Sequence, residues 1–155
     1  MEKSFTDDRA FRVLLVIGLF GILFWSTYGH IMAAYEDNIT AAYGATAFDE
    51  GIRFGHLHGL SNSIAATAAA IALPLIKSIR QRLKMALAAV FGLALVFWNL
   101  GYTYAVFTTT APTDEAFSTA LSTATQWIMI PISWFASIAG AILFVTLLYD
   151  LIKKK

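Results

Sequence analysis

Cysteine is absent from this chain of 155 residues, and charged residues are scarce, making up only 14% of it. Without thiols the protein can form neither a disulfide bond nor a thiolate metal site, and it has no cysteine nucleophile. The missing cysteines also leave the compartment undefined by redox chemistry. In place of charge the chain has 58% hydrophobic residues and a mean hydropathy of +0.66, which indicate a membrane protein rather than a soluble domain.

Four apolar stretches account for most of the chain, at about residues 13–34, 54–76, 85–107 and 121–149. Each is long enough to supply the roughly 20 residues with which a helix crosses about 30 Å of hydrocarbon. The stretches lack the two-residue alternation of a barrel strand, and a span in lipid must satisfy its own backbone hydrogen bonds. We therefore predict an all-α integral membrane protein, an antiparallel four-helix bundle that forms a single membrane domain.

The basic residues are concentrated in three places, which predicts the orientation of the spans. They precede the first stretch, separate the second from the third, and end the chain: Lys3, Arg9, Arg12, Lys77, Arg80, Arg82, Lys84, Lys153, Lys154 and Lys155. The other two connections are acidic apart from Arg53. Because Lys and Arg resist translocation, we expect both termini on the cytoplasmic side of a bacterial inner membrane. The first stretch is longer than the core of a signal peptide, so we expect it to be retained as a helix.

A few polar side chains lie within or beside the apolar stretches, near the ends that this topology places outside. They are Tyr28, His30, His56, His58, Asn62, Asn99, Tyr102 and Tyr104. Polar residues at membrane depth are costly and are commonly functional. The predicted topology brings them to one level of the bundle, where they could line a pocket or form hydrogen bonds between helices.

His56 and His58 are two residues apart, which is about 200° around a helix, so they cannot both ligate one metal ion from a single face. No Asp, Glu or Cys lies at membrane depth to complete a metal shell, which argues against a mononuclear zinc site. A cofactor that needs a single protein nitrogen, such as haem, suits these residues better. The alternative is that the histidines are only hydrogen-bonding groups at the membrane interface.

Two further groups of polar residues have the spacing of a helix face. Asn62 lies four residues after His58, and the third stretch carries Trp98, Asn99 and Tyr102 at spacings of three and four. These residues could form a pocket wall. They could equally bond between helices, as asparagine and tyrosine often do in membrane bundles.

Four groups of residues in the first three stretches form a recognisable pattern. They are Leu19-Phe20-Gly21 with Trp25, Glu50-Gly51, the ungapped run from His56 through Asn62 to Leu73-Pro74, and Asn99-Leu100-Gly101-Tyr102. This pattern resembles that of the styrene oxide isomerases, small four-span membrane enzymes that carry haem b. The fourth stretch matches the family only in character.

The resemblance implies that His56 is the axial ligand of ferric haem b and that Asn62 is a polar pocket residue beside the open face of the iron. His58 stands where the family has glycine, so it is a second candidate for cofactor binding. The pocket tyrosine of the family falls at Thr103 in this register. Its neighbours Tyr102 and Tyr104 are therefore both candidate catalytic residues.

The implied activity is isomerisation of an aryl epoxide of the styrene oxide type to the corresponding aldehyde. Ferric haem would act as a Lewis acid on the epoxide oxygen, a C–O bond would open to a benzylic cation, and a hydride would migrate without net electron transfer. The resemblance also implies a homotrimer. The expected partners are the lipid bilayer and a small apolar epoxide, and no nucleic acid.

Two other functions stay open at this point. A small b-type cytochrome would pass electrons within a membrane complex, with His30 and either His56 or His58 as its two axial ligands. A haem-free packing or transport subunit would use the histidines only as hydrogen-bonding groups. A high-spin ferric spectrum favours the isomerase, a low-spin spectrum favours the cytochrome, and a colourless protein favours the third function.

Overall fold

The computed structural model describes residues 7–153, so Lys3, Lys154 and Lys155 lie outside it. Every regular element among the described residues is helical, which confirms the all-α class. The α-helices are α1 (Arg9–Ala34), α2 (Glu36–Tyr43), α3 (Phe54–Ala70), α4 (Gln81–Phe97), α5 (Leu100–Thr108), α6 (Asp114–Ala124) and α7 (Ile130–Lys153). The π-helical turns Ala47–Arg53 and Thr125–Met129 precede α3 and α7, and the 3₁₀ turn Leu73–Leu75 follows α3.

Three helical stretches are long and apolar enough to cross a membrane: Arg9–Ala34, Gln81–Thr108 and Asp114–Lys153. They contain the first, third and fourth predicted spans. The second predicted span, residues 54–76, is less regular, because the α-helix ends at Ala70 and a 3₁₀ turn follows around Pro74, which has no N–H to donate. With 17 residues, α3 is shorter than the roughly 20 of an average span, so the four-span arrangement stays a prediction.

The connection between the first two predicted spans is largely helical. The helix α2 begins with Glu36 and Asp37, whose carboxylates suit the positive end of a helix dipole. Gly44 ends α2 with a φ of 92°, a conformation that glycine adopts without strain. The π-helical turn then leads directly into α3, so the first turn of α3 is held by helical backbone on both sides.

Small residues let α1 and α3 approach closely. Gly18 faces Thr67 and Gly21 faces Ser63, and a Cβ on either glycine would overlap α3. The hydroxyl groups of Ser63 and Thr67 donate to carbonyls four residues earlier in their own helix, at 2.7 and 2.9 Å. These two hydroxyl groups are thereby satisfied, and the small face of the helix serves packing, as is common in membrane bundles.

Lys84 joins three helices at the end of the bundle that the charge pattern predicts to be cytoplasmic. It is 3% exposed, pairs with Asp8, and donates to the carbonyl oxygens of Leu73 and Ile76 at 3.2 and 3.0 Å. Asp8 is also the N-cap of α1, where it accepts from the N–H of Ala10 at 2.9 Å. In the sequence, Lys84 indicated only the orientation of the spans. The structure shows that it is buried.

Proline affects the fourth predicted span locally. The π-helical turn Thr125–Met129 lies just before Pro131, which cannot donate a hydrogen bond to the preceding turn. Further along, the carboxylate of Asp150 accepts from the N–H groups of Lys77 and Ser78 and from the Ser78 hydroxyl. The end of α7 is thus fastened to the connection between the second and third predicted spans.

Candidate functional site

His56 lies in the first turn of α3 and directs its ring toward α1. Its Nδ1 is 2.6 Å from the carbonyl oxygen of Trp25. Because a carbonyl oxygen can only accept, Nδ1 carries the proton of the neutral ring and Nε2 keeps its lone pair. Histidine ligands of metals commonly donate their other ring N–H to such a group, which fixes the tautomer and the ring orientation. His56 is therefore prepared to be a ligand through Nε2.

Trp25 and His56 occupy reciprocal gaps between α1 and α3. The ring of His56 lies against Gly29, and the ring of Trp25 lies against Gly59, so that a Cβ on either glycine would overlap the ring. Gly29 follows Trp25 by four residues and Gly59 follows His56 by three, which places each glycine next to a ring on its own helix. Trp25 is fully buried, and its Nε1 donates to the carbonyl of Val96 at 2.9 Å.

A cleft of about 180 Å³ opens beside His56. Its lining residues are Gly29, Ala33, Glu36, Phe48, Ile52, Arg53 and His56. Arg53 pairs with Glu36 at 3.2 Å and with Asp49 at 2.9 Å, and its guanidinium lies 5.3 Å from the centre of the Phe48 ring. The cleft therefore has buried apolar walls and a charged rim.

The chemistry of the cleft suits a haem ligand, whereas its size suits only part of a haem. Ligand pockets commonly enclose roughly 300 to 1,000 Å³, and the cleft in this single chain is smaller. Ala33, which α1 contributes to the lining of the cleft, is exposed. A porphyrin bound at His56 would therefore extend beyond the cleft, against lipid or another copy of the chain.

His58 faces a different helix from His56. Its Nδ1 lies 3.0 Å from the carbonyl oxygen of Phe54, and its ring centre lies 4.2 Å from that of Phe54 and 6.4 Å from that of Tyr102. Tyr102 also contacts Trp98, with 5.9 Å between ring centres. His58 thus belongs to an aromatic cluster on α3 and α5, as its angular separation from His56 predicts.

The three predicted catalytic residues do not line the cleft beside His56. Asn62 is half-buried on α3, six residues and about 240° from His56. Tyr102 lies in the aromatic cluster with His58. Tyr104 is 46% exposed and lines a separate groove of about 400 Å³ between α5 and α6. Their catalytic roles stay predictions.

A hydrogen bond between two hydroxyl groups connects α1 to α5 near Trp25. The hydroxyl of Tyr28 lies 2.8 Å from Oγ1 of Thr103, the position at which the resemblance would place a tyrosine. The sequence left two roles open for Tyr28, lining a pocket or bonding between helices, and the structure shows the second. The position of Tyr28 three residues after Trp25, on the same face of α1, was the available signal.

Asn99 is fully buried in the break between α4 and α5, and neither Oδ1 nor Nδ2 of its side chain has a hydrogen-bond partner. An unsatisfied buried polar group costs about 1 to 3 kcal/mol. The alternative of direct bonding between helices, which the sequence left open for this residue, is not observed within residues 7–153.

No known protein family, no curated protein and no solved structure matches the chain. Within residues 7–153, His, Asp and Glu side chains do not gather in groups of three or more that could hold a metal ion. The residues around His56 are therefore the basis for a functional assignment.

Proposed function

We propose that this protein is a four-span isomerase of a bacterial inner membrane that converts an aryl epoxide to an aldehyde, with haem b bound through His56. The observation that carries the proposal is the 2.6 Å contact between Nδ1 of His56 and the carbonyl oxygen of Trp25. This contact leaves Nε2 as the free nitrogen of a ring that the gap at Gly29 holds in place. The resemblance to the styrene oxide isomerases supplies the reaction.

Within this proposal, the chain provides a ligand, apolar side chains and hydrogen-bonding groups. When bound, ferric haem supplies a Lewis-acidic iron for the epoxide oxygen. His56 holds the iron, and the Trp25 carbonyl keeps the proton on Nδ1, so that the ligating nitrogen stays available. The reaction moves hydrogen between neighbouring carbons of the substrate, and therefore it needs no external electron donor or acceptor.

We assign the handling of the substrate to Asn62 and to Tyr102 or Tyr104, which lie outside the cleft beside His56 in one chain. The amide of Asn62 and the hydroxyl of Tyr102 or Tyr104 would bind the substrate oxygen, where charge develops as the C–O bond opens. Aromatic rings such as those of Trp98 and Tyr102 would stabilise a cationic carbon, by roughly 0.5 to 2 kcal/mol. An apolar epoxide partitions into lipid, so a site that opens at membrane depth meets a concentrated substrate.

The small cleft supports the proposed homotrimer. A porphyrin held by His56 would leave much of its surface outside one chain, beyond the exposed Ala33 in the cleft wall. A second copy of the chain that packed there would cover the porphyrin and complete the pocket. Asn62 and Tyr102, which lie outside the cleft of their own chain, could then act on a substrate in a site shared between copies.

Electron transfer has less support from the geometry, because it requires a second histidine on the iron. His30 is exposed, and its Nδ1 lies 2.7 Å from the carbonyl oxygen of Ser26 on its own helix. It also follows Gly29, which faces His56, by one residue or about 100°. Within one chain, therefore, His56 lines the cleft and His30 does not.

The decisive experiment combines a spectrum with an assay. The protein, expressed with a haem precursor and purified in detergent, should show a high-spin ferric spectrum and should convert styrene oxide to phenylacetaldehyde without an added reductant. His56→Ala, purified in parallel, is the control for adventitious haem. A low-spin spectrum without aldehyde formation would support electron transfer. A protein that binds no haem would refute the proposal.

A further inference from the structure

The unpaired amide of Asn99 points to a buried ligand. Among residues 7–153, Asn99 alone has buried side-chain oxygen or nitrogen atoms without a hydrogen-bond partner, and both of its polar atoms are in this condition. Buried amides in folded proteins are nearly always bonded, and exceptions call for a bound water molecule, an ion or a functional role. The side chain is 0% exposed, so bulk solvent does not satisfy it.

The backbone around Asn99 also departs from α-helical bonding. The N–H of Gly101 bonds to the carbonyl of Trp98 at 3.3 Å, and the N–H of Tyr102 bonds to that of Asn99 at 3.1 Å. Both bonds reach back three residues instead of four, which is the 3₁₀ pattern. Carbonyl oxygens just before such a tightened turn lose their regular backbone donors and need others.

One of these carbonyls already has a donor from another helix. The oxygen of Val96, three residues before Asn99, accepts from Nε1 of Trp25 at 2.9 Å. Gly55 of α3 also packs beside the break, where a Cβ would lie 3.0 Å from Cβ of Tyr102 and 3.7 Å from the backbone oxygen of Asn99. The break therefore contacts both α1 and α3, and it contains polar backbone groups.

We propose that Asn99 binds a buried water molecule that connects its side-chain amide to backbone carbonyls of the break between α4 and α5. The amide can both donate and accept, which matches water and requires no charge on the ligand. Breaks in membrane helices are tolerated where ordered water satisfies the freed backbone groups. This site is independent of haem and of the proposed isomerase activity.

The sign of a stability change tests this proposal. Asn99→Leu replaces the amide with an apolar side chain of similar size in the full-length protein. If water bridges the amide to the backbone, the variant should melt at a lower temperature in detergent, with an unfolding equilibrium constant raised about tenfold. An amide without any partner predicts the opposite, because its removal relieves a buried polar group. Asn38→Leu, at an exposed position in α2, is the matched control.

A direct measurement keeps the proposal falsifiable if Asn99→Leu fails to fold. In protein labelled with ¹⁵N-asparagine, the Nδ2 protons of Asn99 should show a cross-peak to long-lived water, assigned by its loss in Asn99→Ser. Cross-peaks to protein protons alone would overturn the proposal. Displacement of the water signal by styrene oxide would also overturn it, since the amide would then be a site for a ligand oxygen.

Discussion

His56 and Trp25 are joined by two contacts between α1 and α3. Nδ1 of His56 lies 2.6 Å from the Trp25 carbonyl oxygen. The Trp25 indole packs against Gly59, which lies on the same helix as His56. A shift of α1 along α3 would break both contacts at once. The arrangement therefore couples the orientation of one imidazole to the packing of two helices.

The first prediction separates the two histidines of α3. His56→Ala should abolish haem binding, because its Nε2 is the nitrogen that the structure leaves free beside the cleft. His58→Ala should retain haem, since His58 lies in the aromatic cluster with Phe54 and Tyr102. The haem-to-protein ratio of purified protein measures both outcomes. Loss of haem in His58→Ala with retention in His56→Ala would transfer the ligand role to His58.

The second prediction concerns Trp25 as a positioning residue. Trp25→Phe keeps an aromatic ring against Gly59 but removes the donor to Val96, so the backbone that orients His56 should loosen. The backbone carbonyl that accepts from His56 remains in this variant. We therefore expect a smaller effect than the roughly 10- to 100-fold loss of metal affinity that follows removal of an outer partner, measured as faster haem transfer to an acceptor protein. The Fe–His stretching frequency of the ferrous protein should also shift. Trp134→Phe, which alters a 64% exposed residue of α7, should change neither quantity.

The third prediction distinguishes the candidate catalytic groups. Asn62→Ala and Tyr102→Phe should keep haem but slow the isomerisation of styrene oxide by about 100-fold, the usual cost of losing a group that stabilises a developing oxyanion. Tyr104→Phe should have a small effect, because Tyr104 lines the groove between α5 and α6. Full activity in Asn62→Ala would remove that residue from the mechanism, and a large loss in Tyr104→Phe would reverse the choice of tyrosine.

The fourth prediction concerns the buried pair of Lys84 and Asp8. Lys84→Met leaves Asp8 without its buried partner and two carbonyls without a donor, which should destabilise the protein by about 3 to 5 kcal/mol. Asp49→Asn, which removes an exposed ion pair with Arg53, should cost at most about 1 kcal/mol. Thermal unfolding in detergent measures both. Equal effects would mean that the Lys84 pair is no stronger than a surface pair.

The same pair predicts a dependence of stability on pH. Burial acts to raise the pKa of Asp8, but hydrogen bonds from Lys84, Gln81 and the backbone N–H of Phe11 outweigh it, and the pKa is lowered overall. A lowered pKa in the folded state stabilises the protein above the unfolded value of about 3.9, and this contribution is lost as the pH falls through the folded value. Asp8→Asn should therefore make the melting temperature less dependent on pH below about pH 4. If the variant and the unsubstituted protein showed the same dependence of melting temperature on pH, this prediction would be wrong.

The fifth prediction tests the number of spans. Four crossings place both termini on the same side of the membrane, whereas three place them on opposite sides. Four crossings also place the connections before and after residues 54–76 on opposite sides. A reporter that is active only in the cytoplasm should therefore be active when inserted in the connection that contains Lys77 and inactive when inserted at Gly44. The same activity at both positions would show that residues 54–76 do not cross.

The sequence predicted the helices better than the connections. Hydropathy placed long helices close to residues 13–34, 85–107 and 121–149, because a helix in lipid needs a long apolar run whatever its neighbours. It did not predict the helical form of residues 36–53, whose mixed polarity resembles that of a loop. Nor did it predict the burial of Lys84, since a basic residue between two spans usually indicates an exposed cytoplasmic connection.

The sequence likewise predicted some features of the candidate site and not others. The spacing of His56 and His58 was enough to place them on different faces, because the angle per residue in a helix is constant. The bond from His56 to Trp25 was beyond the sequence, since it joins residues 31 positions apart. The unpaired amide of Asn99 was equally hidden, because it depends on what the other helices place around the break.

From its sequence alone, this chain is determined to be helical and strongly apolar, with basic residues that favour one orientation in a membrane. Those properties depend on composition and on local periodicity, which act within a single segment. Only the tertiary structure decided which ring nitrogen of His56 is free and which asparagine is unpaired. The first depends on the gaps that Gly29 and Gly59 leave between α1 and α3, and the second depends on the groups that the packed helices place around Asn99.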